Sequence, residues 1–380
     1  MIPYGRQSVD EADIEAVVQV LRSDWLTQGP AIERFEAAMA TRCATDHGVM
    51  VCNATAALHI ACLAAGLGPG DWLWTSPNTF LASANCGLYC GARVDFVDID
   101  PLTWNLSADA LALKLETAER EGCLPKVVVA VAFAGQSCDM AAIARLAERY
   151  GFTLIEDASH AVGAQYGGQP VGSGEFADMT VFSFHPVKII TTAEGGIVMT
   201  RHTELAERLR RLRSHGMTRD PAMMSEPSHG PWYYQQVELG FNYRATDIQA
   251  ALGVSQLARL DAFLARRRAL ADAYDRALSG LGLQLPARQA GAESAWHLYV
   301  VRIAERRDEV FAALRAAGIG VNVHYIPVHL QPFYRQMGFA SGDFPEAEAY
   351  YAQALSLPLY PGLTEAEQHY IVNALSDALA

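Results

Sequence analysis

Short apolar runs alternate with amphipathic segments along the first two thirds of the chain. Seven runs have the length and composition of buried strands: GVMVCN (48–53), WLWTSP (72–77), VDFVDI (94–99), KVVVAVAF (126–133), TLIEDA (153–158), MTVFSF (179–184) and GIVMT (196–200). Runs that are apolar on both faces and separated by helices indicate a mainly parallel sheet covered on both sides. The last two runs are too close together for a helical connection, so one of them is expected to run antiparallel.

The pattern changes in the last third of the chain. A long helical stretch (246–278) is followed by a predicted strand, helix and strand at WHLYVVRI, RDEVFAALRAAG and VNVHYIPV, and then by helices near 345–355 and 364–379. This predicts a large α/β domain over residues 1–255 and a smaller C-terminal α/β domain over residues 256–380. Near the N-terminus, Ser8 and Glu11 have the spacing of a capping box and predict a helix over EADIEAVVQVLRS.

Composition narrows the classes of function. The net charge of −13 over 380 residues argues against nucleic acid as the main partner, because no basic block is present to neutralise phosphates. No apolar run is long enough for a membrane helix, and the first residues lack the pattern of a signal peptide. Seven cysteines without a C-x-x-C pair predict a reduced, cytoplasmic environment and neither a disulfide framework nor a metal centre.

Residues suited to chemistry follow four of the predicted strands. Open α/β sheets bind their ligands beyond the carboxyl ends of the strands. The residues at these ends are Asn53, Ala54 and Thr55; Phe80; Asp157 and His160; and Ser183, His185 and Lys188. Each also has an ordinary structural explanation: a helix cap for Asn53 to Thr55, core packing for Phe80, a buried cap for Asp157, structural hydrogen bonding for His160, and a solvated loop position for Lys188.

The order of these segments resembles the fold-type I pyridoxal phosphate (PLP) enzymes, and among them the DegT/DnrJ/EryC1/StrS sugar aminotransferases. The resemblance covers nearly the whole chain and rests on LTQGPAIERFE (26–36), NATAALH (53–59), TSPNTFLASAN, IEDASHAVGA (155–164), FSFHPVKIITTAEGG (182–196) and GFNYRATDIQAALG (240–253). It implies the fold of those enzymes, with a large seven-stranded sheet domain and a smaller C-terminal α/β domain.

The resemblance also implies a role for each residue. Lys188 is expected to bond covalently to the cofactor aldehyde and to move protons, and Asp157 to pair with the pyridine nitrogen. The remaining cofactor contacts implied are Phe80 on the ring face, His160 near the ring hydroxyl, and Ala54, Thr55, Ser183 and a partner subunit's copy of Asn242 at the phosphate. The minimal active form implied is therefore a homodimer with shared sites.

Several further segments, among them SHGMTRD (214–220) and HYIPVHLQPFYRQMGF (324–339), resemble the branch of the family that acts in pseudaminic acid biosynthesis. The reaction implied is transfer of an amino group from L-glutamate, which leaves as 2-oxoglutarate, to C4 of a UDP-linked 4-keto sugar. The substrate contacts suggested by motif position are His185, Arg219, Tyr243, Arg244, His324 and Tyr325.

Three other functions stay open at this point. The chain could aminate another 4-keto nucleotide sugar, such as the GDP-linked precursor of perosamine. Some relatives carry His in place of the lysine and are dehydratases, which Lys188 argues against. A binding or regulatory protein that has kept the fold without turnover is the non-enzymatic alternative.

Overall fold

The computed structural model describes residues 1–380 and is built around a seven-stranded sheet with the order β1-β9-β8-β5-β4-β2-β3. The strands are β1 His47–Val51, β2 Trp72–Thr75, β3 Arg93–Phe96, β4 Val127–Val131, β5 Thr153–Asp157, β6 Gln165–Tyr166, β7 Gln169–Pro170, β8 Met179–Ser183, β9 Gly196–Thr200, β10 Met217–Thr218, β11 Gln235–Gln236, β12 Ala292–Glu293, β13 Tyr299–Arg302 and β14 Ala354–Leu357. All seven predicted strands of the large sheet are present. Strand β9 pairs antiparallel with both β1 and β8, and the other pairs are parallel, as predicted.

Helices cover both faces of this sheet. The helices of the whole chain, of which α10 and α13 pack in the C-terminal core and not on this sheet, are α1 Glu11–Leu21, α2 Pro30–Cys43, α3 Ala54–Ala64, α4 Ala82–Tyr89, α5 Ala108–Glu121, α6 Met140–Tyr150, α7 Thr203–Leu212, α8 Asp247–Leu257, α9 Leu260–Leu278, α10 Arg307–Ala316, α11 Pro332–Arg335, α12 Pro345–Gln353 and α13 Glu365–Leu379. Strands β4, β8 and β9 are buried along their whole length, which explains why they read as continuous apolar runs. The expected α/β fold is confirmed.

The prediction of one long helix over 246–278 is wrong, because this segment forms two helices, α8 and α9. At the break, Arg259 forms ion pairs with Asp10, at 2.9 Å, and with Asp13. No Gly or Pro marks the position, so a local pattern could not reveal it. The first part of α9 packs into the core of the large sheet and the second part into a separate C-terminal core, and the boundary at residue 255 stays a prediction.

The C-terminal strands also differ from the prediction. Strand β13 pairs antiparallel with β14, and not with the VNVHYIPV run, in which only Asn322 makes a β-bridge, to Ser356. Two features explain the error. Pro327 lacks the N–H group that a strand would use, and β14 follows α12 directly, with no turn residue between them.

The predicted N-cap residue of α1 is wrong. The N-cap is Asp10, whose side chain accepts a hydrogen bond from the Asp13 N–H, while Asp13 accepts in return from the Asp10 N–H. The box is therefore Asp10–Asp13 and not Ser8–Glu11. Carboxylates serve both positions of a capping box and favour the helix N-terminus electrostatically.

No helix in the structure combines the length and the apolar character needed to cross a membrane. All seven cysteines are free thiols.

Candidate active site

A cavity of about 440 Å³ opens at the carboxyl ends of strands β5 and β8. It is lined by Tyr4, Asn53, Ala54, Thr55, Leu58, Thr79, Phe80, Ala82, Val131, Asp157, Ser159, His160, Ser183, His185, Val187, Lys188, Glu194, His297, His324 and Tyr325. The structure therefore brings together all the residues predicted from the four strand ends. Parallel strands explain this convergence, because their carboxyl ends lie at the same edge of the sheet.

The N-terminus of α3 forms one end of the cavity. Asn53 is its N-cap, and its Oδ1 accepts the Ala56 N–H at 2.8 Å. The N–H groups of Ala54 and Thr55 have no acceptor within the helix, because they belong to its first turn. A Cβ atom at Gly196 would lie 2.6 Å from the Ala54 nitrogen, so only glycine lets β9 approach this turn. These N–H groups and the helix dipole suit an anion such as phosphate.

A buried carboxylate lies across the cavity at the end of β5. Asp157 accepts hydrogen bonds from the hydroxyl groups of Ser83 and Ser159, both at 2.6 Å, and from the Ser159 N–H at 3.1 Å. Donors on both oxygen atoms fix the orientation of this carboxylate. Asp157 therefore presents a fixed negative charge to the cavity.

Lys188 supplies the amine of the cavity. Burial lowers the pKa of its side chain to about 8, although the negative charge of Asp157 acts in the opposite direction. An amine with this pKa is partly neutral near pH 7 and can act as a nucleophile. The chain contains two other lysines, at 114 and 126, and each is held in an ion pair: Lys114 with Asp95 and Lys126 with Asp71.

Two histidines lie against each other in the wall of the cavity. The rings of His160 and His297 are 4.3 Å apart between centroids, and His160 Nε2 lies 3.1 Å from the Tyr325 hydroxyl. Burial lowers the pKa of both imidazoles well below the ordinary value, and the neighbouring Lys188 lowers it further. Each ring is therefore neutral, and each has a buried Nδ1 atom without a partner in the chain.

The predicted substrate residues divide into two groups. His185, His324 and Tyr325 line the cavity, and burial lowers the pKa of His324 to about 4. Arg219, Tyr243 and Arg244 lie outside the cavity of their own chain, as does Asn242. Tyr243 instead packs on α3, where its hydroxyl group lies 3.2 Å from His59 Nδ1.

Sequence reasoning did not single out five polar residues of the cavity. Thr79, Ser159 and Glu194 lie within segments that carry the family resemblance, and their proximity to Phe80, Asp157 and Lys188 was the signal available. Tyr4 and His297 have no such local signal. No cluster of His, Cys, Asp and Glu side chains in the chain is arranged to hold a metal ion.

These features fit PLP. The free N–H groups of α3 suit its phosphate, Asp157 its pyridine nitrogen, Phe80 its ring face and the Lys188 amine its aldehyde. The unpartnered nitrogen of His160 is a polar position that a ring hydroxyl could satisfy. The site is thus that of a PLP-dependent enzyme.

Comparison with known proteins identifies the family. Residues 7–376 match the model of the DegT/DnrJ/EryC1/StrS aminotransferase family, to which this chain belongs. The spore coat polysaccharide biosynthesis protein SpsC of Bacillus subtilis is 40% identical over 99% of this chain and 96% of its own length. The chain is a PLP-dependent sugar aminotransferase.

Solved structures are similar over the whole fold. The Streptococcus pneumoniae protein Spr1654, solved in its PMP form, is 31% identical with a TM-score of 0.90, and the match covers 100% of this chain and 99% of that one. Helicobacter pylori PseC, an aminotransferase involved in the biosynthesis of pseudoaminic acid, is 29% identical with a TM-score of 0.89 over 100% and 99% of the two chains.

Proposed function

We propose that this protein transfers an amino group from L-glutamate to C4 of a UDP-linked 4-keto-6-deoxy-N-acetylhexosamine. The product is UDP-4-amino-4,6-dideoxy-N-acetyl-β-L-altrosamine, a precursor of pseudaminic acid. The observation that carries the catalytic part is the juxtaposition, in one cavity, of the Lys188 amine, the Asp157 carboxylate and the free N-terminus of α3. The similarity to PseC supports the choice of sugar.

Lys188 and Asp157 are the catalytic residues of this proposal. Bound PLP supplies an electron sink and carries the amino group between donor and acceptor. The neutral Lys188 amine would hold the cofactor through its aldehyde, with loss of water, and would carry a proton at the substrate carbon, a task that its lowered pKa suits. Asp157, held in place by the Ser83 and Ser159 hydroxyl groups, would hold the proton on the ring nitrogen of the bound cofactor.

The remaining cofactor contacts that we propose are made by other residues that line the same cavity. The N–H groups of Ala54 and Thr55 and the hydroxyl group of Ser183 would hold the phosphate, and Phe80, which lines the same cavity, would pack against the ring. Burial lowers the pKa of His160, so its neutral imidazole would meet the ring hydroxyl as a hydrogen-bonding group and not as a cation.

The active form we propose is a homodimer. The cavity lining contains no arginine, although a nucleotide diphosphate is recognised best by guanidinium groups. Asn242, Arg219 and Arg244 lie outside the cavity of their own chain. In a dimer, each subunit would supply these three residues to the cavity of its partner. Exposed apolar side chains nearby support an interface, since Trp232 is 71% exposed and Leu239 is 78% exposed.

A second candidate is the amination of a different 4-keto nucleotide sugar. The identity to SpsC, a spore coat polysaccharide protein, is higher than the identity to PseC, 40% against 29%. Both candidates use the same cavity, cofactor and amino donor. They differ only in the sugar and the nucleotide.

The test is product analysis with labelled donor. The purified protein, loaded with PLP, is incubated with ¹⁵N-labelled L-glutamate and one keto-sugar at a time, either the UDP-linked N-acetyl sugar or the GDP-linked sugar. We expect ¹⁵N in the 4-amino product of the UDP-linked sugar and none with the Lys188→Ala variant. Labelled product from only the GDP-linked sugar would replace the first candidate by the second. Conversion of neither sugar, and no release of 2-oxoglutarate, would contradict both.

A further inference from the structure

Both oxygen atoms of the Asp157 carboxylate are held by hydroxyl groups. Ser83, on the first turn of α4, donates to Oδ2 at 2.6 Å, and Ser159 donates to Oδ1 at 2.6 Å. Ser83 is fully buried, and Asp157 is nearly so. A carboxylate with a donor on each oxygen cannot rotate about its last bond without breaking one of them, so its orientation is fixed.

The direction of the hydrogen bonds follows from chemistry. A charged carboxylate only accepts, so the single proton of the Ser83 hydroxyl points to Asp157. Thr79 Oγ1 lies 2.8 Å from Ser83 Oγ, and Thr79 must therefore be the donor in that pair. Thr79, Ser83 and Asp157 thus form a chain in which each hydroxyl polarises the next one.

Thr79 and Asp157, the two ends of this series of hydrogen bonds, both line the cavity. Thr79 directly precedes Phe80, and Ser83 lies three residues after Phe80. One short segment therefore carries both Phe80, which lines the cavity, and the Ser83 hydroxyl group, which holds Asp157. We propose that Ser83 is a positioning residue that orients the Asp157 carboxylate toward the ring nitrogen of the cofactor, with Thr79 aligning its hydroxyl. The inference rests on the proposed role of Asp157.

The protein contains a second buried serine that serves as a matched control for the role of Ser83. Ser137 is also buried, and its hydroxyl donates at 2.9 Å to Oε1 of Glu156, the neighbour of Asp157 in strand β5. Glu156 does not line the active-site cavity. Ser83→Ala and Ser137→Ala each remove one buried serine–carboxylate hydrogen bond, and only Ser83→Ala removes one from the cavity.

Two measurements test the proposal. They are the ¹⁵N chemical shift of ring-labelled PLP bound to the protein, which reports protonation of its nitrogen, and the dissociation constant of PLP from the apoprotein. For Ser83→Ala we expect a shift toward the unprotonated ring and roughly tenfold weaker binding, the effect of one hydrogen bond to a charged group. Ser137→Ala is expected to leave both quantities at their wild-type values. Wild-type values for Ser83→Ala, or equal changes in the two variants, would overturn the proposal.

Two further variants keep the outcome decisive. If Ser83→Ala does not fold, Thr79→Val removes only the upstream donor, and a smaller change in the same direction is expected; no change would count against the hydroxyl chain. Asp157→Asn separates this inference from the function on which it rests. If Asp157→Asn leaves the ¹⁵N shift unchanged, the role of Asp157 itself is wrong. If Asp157→Asn moves the shift and Ser83→Ala does not, only the role of Ser83 is wrong.

Discussion

The hydroxyl group of Tyr325 lies 3.1 Å from Nε2 of His160, although 165 positions separate the two residues in the chain. His160 follows strand β5 of the large sheet, and Tyr325 belongs to the segment after helix α10. The contact therefore joins the two halves of the chain at the cavity. It also gives the neutral imidazole of His160 its one hydrogen-bond partner within the protein.

Tyr325→Phe tests what this contact contributes. The change removes the hydroxyl group and leaves His160 without a partner, so we expect turnover with glutamate to fall roughly five- to tenfold, equivalent to about 1 kcal/mol for one hydrogen bond. Tyr274→Phe is the control, since Tyr274 is fully buried and its hydroxyl donates to the Pro358 carbonyl at 3.0 Å, away from the cavity. It should lower the melting temperature but not the rate. Wild-type turnover in Tyr325→Phe would contradict the assignment.

Much of the fold and the centre of the site could be predicted from sequence. Strands β4, β8 and β9 of the large sheet could be predicted because burial on both faces makes them continuously apolar. Phe80, Asp157 and Lys188 were visible because each lies in sequence close to the end of such a strand, where parallel topology brings these ends together.

The rest of the cavity depends on contacts between distant residues. Tyr4 is placed by backbone hydrogen bonds of Ile2, which donates to the Gly318 carbonyl at 2.8 Å and accepts from the Gly320 N–H. His297 is placed by the buried Arg267, whose guanidinium group donates to the Trp296 carbonyl at 3.1 Å. Neither arrangement leaves a periodic pattern in the sequence, which is why both residues were missed.

The lowered pKa of Lys188 predicts how cofactor capture depends on pH. Only the neutral amine attacks the aldehyde, so the rate of covalent capture by the apoprotein should rise about tenfold per pH unit and level off above about pH 8. Stopped-flow absorbance after mixing with PLP measures this rate. Asp157 raises the pKa of Lys188, so Asp157→Asn should move the inflection below pH 8. An inflection near the value of an ordinary lysine, or an upward move in the variant, would contradict this account.

Glu156 predicts a pH dependence of stability that is independent of the cofactor. Burial raises the pKa of its carboxyl group from 4.5 to about 7, so the folded protein binds this proton more tightly than the unfolded chain. The resulting stabilisation is complete below about pH 4.5 and is lost as the pH rises through 7, at no more than about 1.4 kcal/mol per pH unit. Glu156→Gln, which can still accept from Ser137, should lose this dependence and be more stable than the wild type at pH 8.

Denaturant unfolding of the apoprotein at several pH values measures the effect of Glu156. Glu119→Gln is the control, because Glu119 is exposed on helix α5 and its side chain makes no hydrogen bond. The control should follow the wild-type pH profile. Identical profiles for Glu156→Gln and the wild type would show that Glu156 does not hold a proton in the folded state.

Shared active sites predict complementation between two defective chains. In a mixed dimer of Lys188→Ala and Asn242→Ala chains, one site has Lys188 from one chain and Asn242 from the other, and is intact. Random reassociation of equal amounts should therefore restore about a quarter of the wild-type activity when PLP is limiting. Activity no higher than the sum of the separate variants would show that each site is built from a single chain.

The covalent attachment of the cofactor tests the central claim most directly. The holoprotein is reduced with borohydride and digested, and the peptide that carries the cofactor is identified by mass spectrometry. Because the chain has only three lysines, the outcome is unambiguous, and Lys114→Ala and Lys126→Ala serve as controls that should not change it. We expect the adduct on Lys188 alone, whereas an adduct on Lys114 or Lys126, or none on any lysine, would contradict the account.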